Sequence, residues 1–158
     1  MVSFETKEKF KTQLSRSEYR HHIAETYWAC CYHFARWYKN INFLRRMGDR
    51  YGERLVSQGY KKNKVHEKIE RRFRRYFNNV SVDYDMFVAY AMEIWSLIKF
   101  YLSINNNQRE EYDLKLNQLL DETTHPERIR DIFNDLGRFV KGMVPLEDMA
   151  YYGEDFKY

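Results

Sequence analysis

Positively charged side chains crowd the segment between residues 45 and 75, which holds 12 Lys and Arg against 4 Asp and Glu. Four of them, spaced by four, three and four residues, would share one side of an α-helix. A row of cations on a rigid helix neutralises successive phosphates of a nucleic acid and releases their counterions. The predicted nucleic-acid-binding residues are Lys64, Lys68, Arg71 and Arg75 in this row, Arg72 beside it, and Arg46, Arg50 and Arg54 on the preceding helix.

The same basic face has two other interpretations. It could bind an acidic protein surface, or it could simply be solvated, since Glu67–Arg71 and Glu70–Arg74 are ordinary ion pairs four residues apart. Exposed rings such as Tyr60 or Tyr76 would favour nucleic acid, because an aromatic side chain can stack on an unpaired base. The pattern does not distinguish RNA from DNA.

The charge is unevenly distributed along the 158-residue chain. Residues 1–80 carry 19 Lys and Arg against 8 Asp and Glu, a net charge of +11, whereas residues 81–158 carry 8 against 15, a net charge of −7. Such asymmetry favours contact between the basic half and a nucleic acid or another anionic surface. Two alternatives stay open: the acidic helices neutralise the basic ones within one domain, or copies assemble head to tail as a homo-oligomer.

Common catalytic and metal-binding motifs are missing from the sequence. It contains no GxxxxGK[ST], GxGxxG, GxSxG, HExxH or CxxC pattern. Cys30 and Cys31 are adjacent, so on a helix their side chains point about 100° apart and would chelate a metal poorly. We expect them to pack in the core together with the neighbouring apolar residues. The sequence therefore predicts a non-enzymatic protein with no metal and no cofactor.

One pair of residues nevertheless has the spacing of a nuclease motif. Arg16 and His21 form the pattern R-x4-H, and His22 follows. Over these six residues the chain resembles the ribonuclease motif of HEPN domains, which are also small helical bundles. The resemblance implies that His21 transfers a proton and Arg16 clamps a phosphate, in a site completed across a dimer. The alternative is that both histidines are surface residues in the first turns of a helix.

The clearest element predicted from the sequence is a long helix, which would carry part of the basic segment. Apolar residues from 23 to 55 alternate at spacings of four and three, which is the 3.5-residue repeat of a helix packed at a shallow angle against its neighbours. The helix should end near Ser57, with Gly59 as its stop. Gly48 and Gly52 predict a kink or break before that end, because glycine costs about 1 kcal/mol relative to alanine inside a helix.

The remaining elements are also predicted to be helical. A second helix should run from Lys62 to Phe77 and be closed by Asn78 and Asn79. The stretch from Met86 to Ile104 is apolar almost all round, which is typical of a helix in the middle of a bundle. Its internal charges, Glu93 and Lys99, disfavour insertion into a membrane. Two shorter helices should follow, at residues 110–120 and after residue 124.

The chain is 44% hydrophobic and 18% aromatic but has only six Gly and two Pro. This composition predicts an all-α fold, a single bundle of about five to six helices with one long coiled-coil-like helix. One domain would span residues 1–158, with a short N-terminal helix in 1–15 and an acidic aromatic tail at 144–158. The tail would dock on the bundle, be recognised by a partner, or cover the basic face.

The favoured function is that of a small non-enzymatic protein that binds nucleic acid or a nucleoprotein complex, as an accessory subunit or an inhibitor. The alternatives are a protein–protein adaptor or self-assembling structural protein, and a HEPN-like helical ribonuclease. The lack of a secretory signal and the two adjacent cysteines favour a reducing compartment, so we expect the protein in the cytoplasm.

Overall fold

The computed structural model describes residues 16–101, 104–121 and 123–143, except for the side chains of Arg16 and Ser17. Within these ranges every regular element is a helix, and the predicted bundle with one long helix is confirmed. The predicted N-terminal helix in 1–15 and the tail at 144–158 lie outside the described residues. The elements are α1 (Arg16–Ser57), α2 (Lys62–Arg72), α3 (Arg74–Tyr101), α4 (Asn106–Asn117), a 3₁₀ turn (Gln118–Leu120) and α5 (Pro126–Lys141).

Helix α1 has 42 residues and is therefore about 63 Å long at 1.5 Å per residue. It ends at Ser57, as the sequence predicts. Gly59 then takes a φ of 92°, a left-handed conformation that favours glycine. The Tyr60 N–H donates to the Leu55 carbonyl oxygen at 3.2 Å, which is the 6→1 bond of a Schellman motif. This motif fixes the direction in which the chain leaves α1 and enters α2.

The core lies where α1, α3 and α5 meet. Helices α1 and α3 are antiparallel, since Tyr19 stacks on Tyr101 at 4.5 Å and Phe34 contacts Phe87 at 5.2 Å between ring centroids. Phe34 is fully buried, and its ring also stacks on Phe133 of α5 at 4.1 Å. The apolar helix predicted at 86–104 is thus a core helix that lies in α3 as far as Tyr101, and α3 begins earlier than predicted, at Arg74. No helix in the described ranges is long and apolar enough to cross a membrane.

The predicted second helix is wrong at its C-terminal end. Helix α2 stops at Arg72, and Phe73 turns the chain (φ −109°, ψ 17°) before α3 begins at Arg74. Asn78 and Asn79 therefore lie inside α3 and close no helix. The turn buries Phe73, which is 7% exposed and meets the Tyr51 ring edge-on at 6.2 Å. The apolar contact with α1 outweighs the strong helix propensity of the surrounding Arg residues.

Gly48 and Gly52 do not interrupt α1; they form the side against which α2 packs. A Cβ at Gly52 would lie 3.4 Å from Ile69 Cδ1 and 3.7 Å from Val65 Cγ1. A Cβ at Gly48 would lie 3.9 Å from Ile69 Cγ2. These are ordinary van der Waals distances, so α2 packs closely against α1 at both positions and leaves room for little more than a Cβ. This close packing brings the charged side chains of the two helices together.

Candidate nucleic-acid interface

Helix α1 carries three of the predicted cations on one side. Arg46, Arg50 and Arg54 are spaced by four residues, which places them one above another along the helix. All three are exposed. Their side of α1 adjoins the surface that receives α2. The three arginines, which were predicted to extend the basic face onto the preceding helix, therefore form one row along an edge of α1.

A cleft forms where this edge meets the end of α2. We call it the arginine cleft, and it has a volume of about 270 Å³. The Arg72 Cζ lies 4.9 Å from the centroid of the Tyr51 ring, and the Arg54 Cζ lies 5.6 Å from it. Cation–π attraction of this kind holds both guanidinium groups next to the ring. The lining residues are Met47, Arg50, Tyr51, Arg54, Arg72 and Phe73.

The other predicted cations of α2 do not line the arginine cleft. Lys68 lies one turn before Arg72, on the same side of α2, and its Nζ sits 4.8 Å above the Tyr60 ring. Lys64 Nζ lies 3.4 Å from Glu67 Oε2 in an ion pair whose side chains are more than half exposed. Arg71 is exposed. An exposed ion pair of this kind contributes little, about 0–1 kcal/mol.

Arg75 does not continue the row as predicted. The row assumed one helix from Lys62 to Phe77, but the turn at Phe73 places Arg75 in the first turn of α3. The helical phase is reset at the turn, so spacing counted across Phe73 no longer defines a face. Arg75 is exposed, but it lies on a different helix from Lys64, Lys68 and Arg71.

A second cleft, of about 630 Å³, opens along the contact between α1 and α2 and has a different charge. Its ionisable lining residues carry both signs: Arg45 and Asp49 from α1, His66 and Glu70 from α2, and Arg74 from α3. We call it the mixed cleft. Two of the four acids between residues 45 and 75 thus line the mixed cleft, and none lines the arginine cleft. The tertiary structure separates charges that are interleaved in the sequence.

Acidic residues of the second half neutralise the basic half at only a few described positions. Arg45 Nη1 lies 3.4 Å from Glu127 Oε1, and Arg36 Nε lies 3.2 Å from Asp83 Oδ2. Within the described residues, none of the eight predicted binding residues forms an ion pair with a carboxylate from residues 81–158. Other acids of the second half pair with cations of the same half, as in Lys99–Asp113 and Lys115–Asp135.

Sequence reasoning missed Tyr51, one of the two aromatic residues that line the arginine cleft. The 3.5-residue repeat places Tyr51 on the apolar seam of α1, yet its ring is only partly buried and lies beside two guanidinium groups. Its position one turn from Arg54 hints at the cation–π contact. The approach of Arg72, however, depends on how α2 folds back and is not visible in the sequence.

One buried carboxyl group, that of Asp83, lies between α1 and α3. Asp83 belongs to α3 and is only 3% exposed. His33 Nδ1 lies 3.0 Å from Asp83 Oδ1, and Arg36 Nε lies 3.2 Å from Asp83 Oδ2. Both partners come from α1. The buried carboxylate therefore links α1 to α3 and is fully hydrogen-bonded, as a buried charge must be.

The residues with nuclease-like spacing lie far from the arginine cleft. His21 is exposed near the start of α1, with its Nε2 3.0 Å from Glu25 Oε1. It precedes Arg50 by 29 residues of one continuous helix, which corresponds to about 44 Å. The side chain of Arg16 lies outside the described residues. The structure thus does not bring His21 near the cations of the arginine cleft.

Cys30 and Cys31 are both unbonded to other cysteines and buried in the core. Burial raises the pKa of the Cys30 thiol well above its usual value and the pKa of Cys31 to about 12. Both groups stay protonated at neutral pH. They are therefore poorly suited to nucleophilic chemistry, which requires a thiolate.

We expect neither thiol to react with iodoacetamide at pH 8 while the protein is folded. Burial blocks access, and the raised pKa keeps the thiolate fraction very low. Mass spectrometry after a timed alkylation checks this, with the chain unfolded in urea as the control that should gain two adducts. Rapid labelling of the folded protein would contradict the buried, protonated state.

No protein-family model, no curated protein sequence and no solved structure matches this chain.

Proposed function

We propose that this protein binds the phosphate backbone of a nucleic acid, free or within a nucleoprotein complex, through the arginine cleft. The observation that carries the proposal is the convergence of Arg50, Arg54 and Arg72, from two helices, on one small cleft with no acidic residue in its lining. Lys68 and Arg46 would extend the contact along α2 and α1. No catalytic step is assigned to the cleft, and the protein would act in the cytoplasm as an accessory subunit or an inhibitor.

Electrostatics supports a polyanionic partner. Guanidinium groups held close together repel one another, and this repulsion is relieved when an anion lies between them. Arginine also presents donors in a planar fork that suits the oxygens of a phosphate. The mixed cleft is larger, but its own Asp49 and Glu70 would repel a phosphate. Charge, not volume, therefore favours the arginine cleft as the binding site.

The dependence of affinity on salt tests the proposal. If the three guanidinium groups neutralise three phosphates, a plot of log affinity against log salt should have a slope of about −2 to −3, because each phosphate contributes about 0.7–0.9. Affinity would then fall about 20- to 40-fold between 50 and 200 mM salt. Fluorescence anisotropy with a labelled oligonucleotide measures it.

Two results would contradict the proposal: no binding of the oligonucleotide at 50 mM salt, or an affinity that does not change with salt concentration. Light scattering in the same buffers provides the companion measurement. A salt-sensitive dimer without oligonucleotide binding would instead support the self-assembling alternative, in which the basic half meets the acidic half of a second copy.

A further inference from the structure

Two exposed tyrosines stand at opposite ends of the cationic surface. Tyr60 follows the C-terminus of α1, and Tyr76 lies in the first turns of α3. Each of the two residues is 41% exposed. The contacts of each ring decide which cleft it borders.

Tyr76 borders the arginine cleft. Its ring centroid lies 5.0 Å from that of Phe43 and 6.5 Å from that of Phe73, and Phe73 lines the arginine cleft. Phe43 lies one turn before Met47, another residue of the same lining. The neighbouring ring, Phe77, lines the mixed cleft instead. Of these two adjacent rings of α3, Phe77 lines the mixed cleft, whereas Tyr76 contacts Phe73 in the lining of the arginine cleft.

Tyr60 lies at the other end of the same surface. The Schellman motif at the end of α1 fixes its backbone, and Lys68 Nζ lies 4.8 Å from its ring centroid. Lys68 is one turn before Arg72, on the side of α2 that faces the arginine cleft. A path from Tyr60 to Tyr76 therefore passes Lys68 and then Arg72.

The length of α2, the helix between the two tyrosines, suits a short single strand. Its 11 residues correspond to about 16 Å. This is the rise of roughly four to five stacked nucleotides at about 3.4 Å each. Grooves that bind single strands combine a cationic track with aromatic rings on which bases stack. In a duplex the base faces are covered by their neighbours, so exposed rings would contribute nothing.

We propose that the cationic surface binds single-stranded nucleic acid, with bases stacked on Tyr60 and Tyr76 and phosphates held by Lys68 and the arginine cleft. This inference rests on the proposed function and adds to it the form of the nucleic acid. The rings supply the preference for unpaired bases, whereas the guanidinium groups supply the affinity for phosphate.

Anisotropy with a labelled 12-nucleotide single strand and with the same sequence as a blunt duplex tests the inference. We expect the single strand to bind about tenfold more tightly. The variant Y60L/Y76L should bind the single strand about tenfold more weakly than the wild-type chain and bind the duplex unchanged, since leucine is apolar but cannot stack. The variant Y60F/Y76F should keep the wild-type affinity, because phenylalanine retains the ring.

A matched control is Trp28→Leu, which removes another ring that is 41% exposed, about 33 Å from Arg50 along α1. It should leave single-strand binding unchanged, and circular dichroism should show that all variants are folded. Equal affinity for single strand and duplex, or full single-strand affinity in Y60L/Y76L, would overturn this inference and leave the proposed function standing. Absence of salt-dependent binding to either probe would overturn both.

Discussion

Exchange of Arg54 and Arg72 for glutamate should lower the affinity for the labelled oligonucleotide by at least about 100-fold at 50 mM salt. Each guanidinium can donate charge-assisted hydrogen bonds to a phosphate, and such bonds contribute roughly 1.5–3 kcal/mol each. Losing two therefore removes about 3–6 kcal/mol, and 1.4 kcal/mol corresponds to a tenfold change. The introduced carboxylates would also repel the phosphates. Anisotropy titrations measure the change directly.

The matched control is the variant R45E/R74E, which makes the same change of net charge in the mixed cleft. Its affinity should stay within about fivefold of the wild-type value, because Arg45 and Arg74 line the other cleft, would not contact a phosphate held in the arginine cleft, and act on it only through charges that salt partly screens. It breaks one half-exposed ion pair, Arg45–Glu127, which contributes at most about 1 kcal/mol to stability. Equal losses in the two double variants would show that binding depends on net charge and not on the arginine cleft.

Truncation of Phe34 to alanine should reduce the free energy of unfolding by about 3–5 kcal/mol. The side chain is fully buried, and its ring contacts Phe87 of α3 and Phe133 of α5, so its loss leaves a cavity where three helices meet. Domains of this size are stable by only about 5–15 kcal/mol. Urea denaturation followed by circular dichroism gives the difference from the shift in midpoint.

Phe100→Ala is the comparison for that experiment, because it makes the same chemical change at a residue that is 37% exposed. Its cost should be under about 1.5 kcal/mol, since part of the ring already contacts water. A loss at Phe34 no larger than the loss at Phe100 would mean that the three-helix junction is not the main source of stability. Contacts elsewhere in the bundle would then be responsible for holding α1 in place beside the arginine cleft.

The sequence predicts the long helix and its end well. The alternating spacing of apolar residues, from Ile23 through Phe34 and Trp37 to Leu55, matches residues that the structure buries. Gly59 marks the end of α1 because a left-handed φ is needed there. These features depend on contacts or conformations within a few residues, so their signal is local. The same holds for the four-residue spacing of Arg46, Arg50 and Arg54.

The turn at Phe73 shows where such local reasoning fails. Nothing in the sequence around Phe73 is a helix breaker, and the flanking Arg residues favour a helix. The chain turns because Phe73 can be buried against Tyr51, a residue 22 positions away. As a result, Arg75 moves to α3, while Arg72 remains at the end of α2 beside the ring of Tyr51.

The sequence by itself determined that this chain is helical, that its first half is strongly basic, and which side chains carry the charge. Helical periodicity and composition are properties of neighbouring residues, and they need no knowledge of the fold. Only the tertiary structure decided that Arg50, Arg54 and Arg72 meet in one cleft while Asp49 and Glu70 line another. The reason is that α2 packs on α1 beside Gly48 and Gly52, and the direction of that packing depends on the burial of residues that are distant in the sequence.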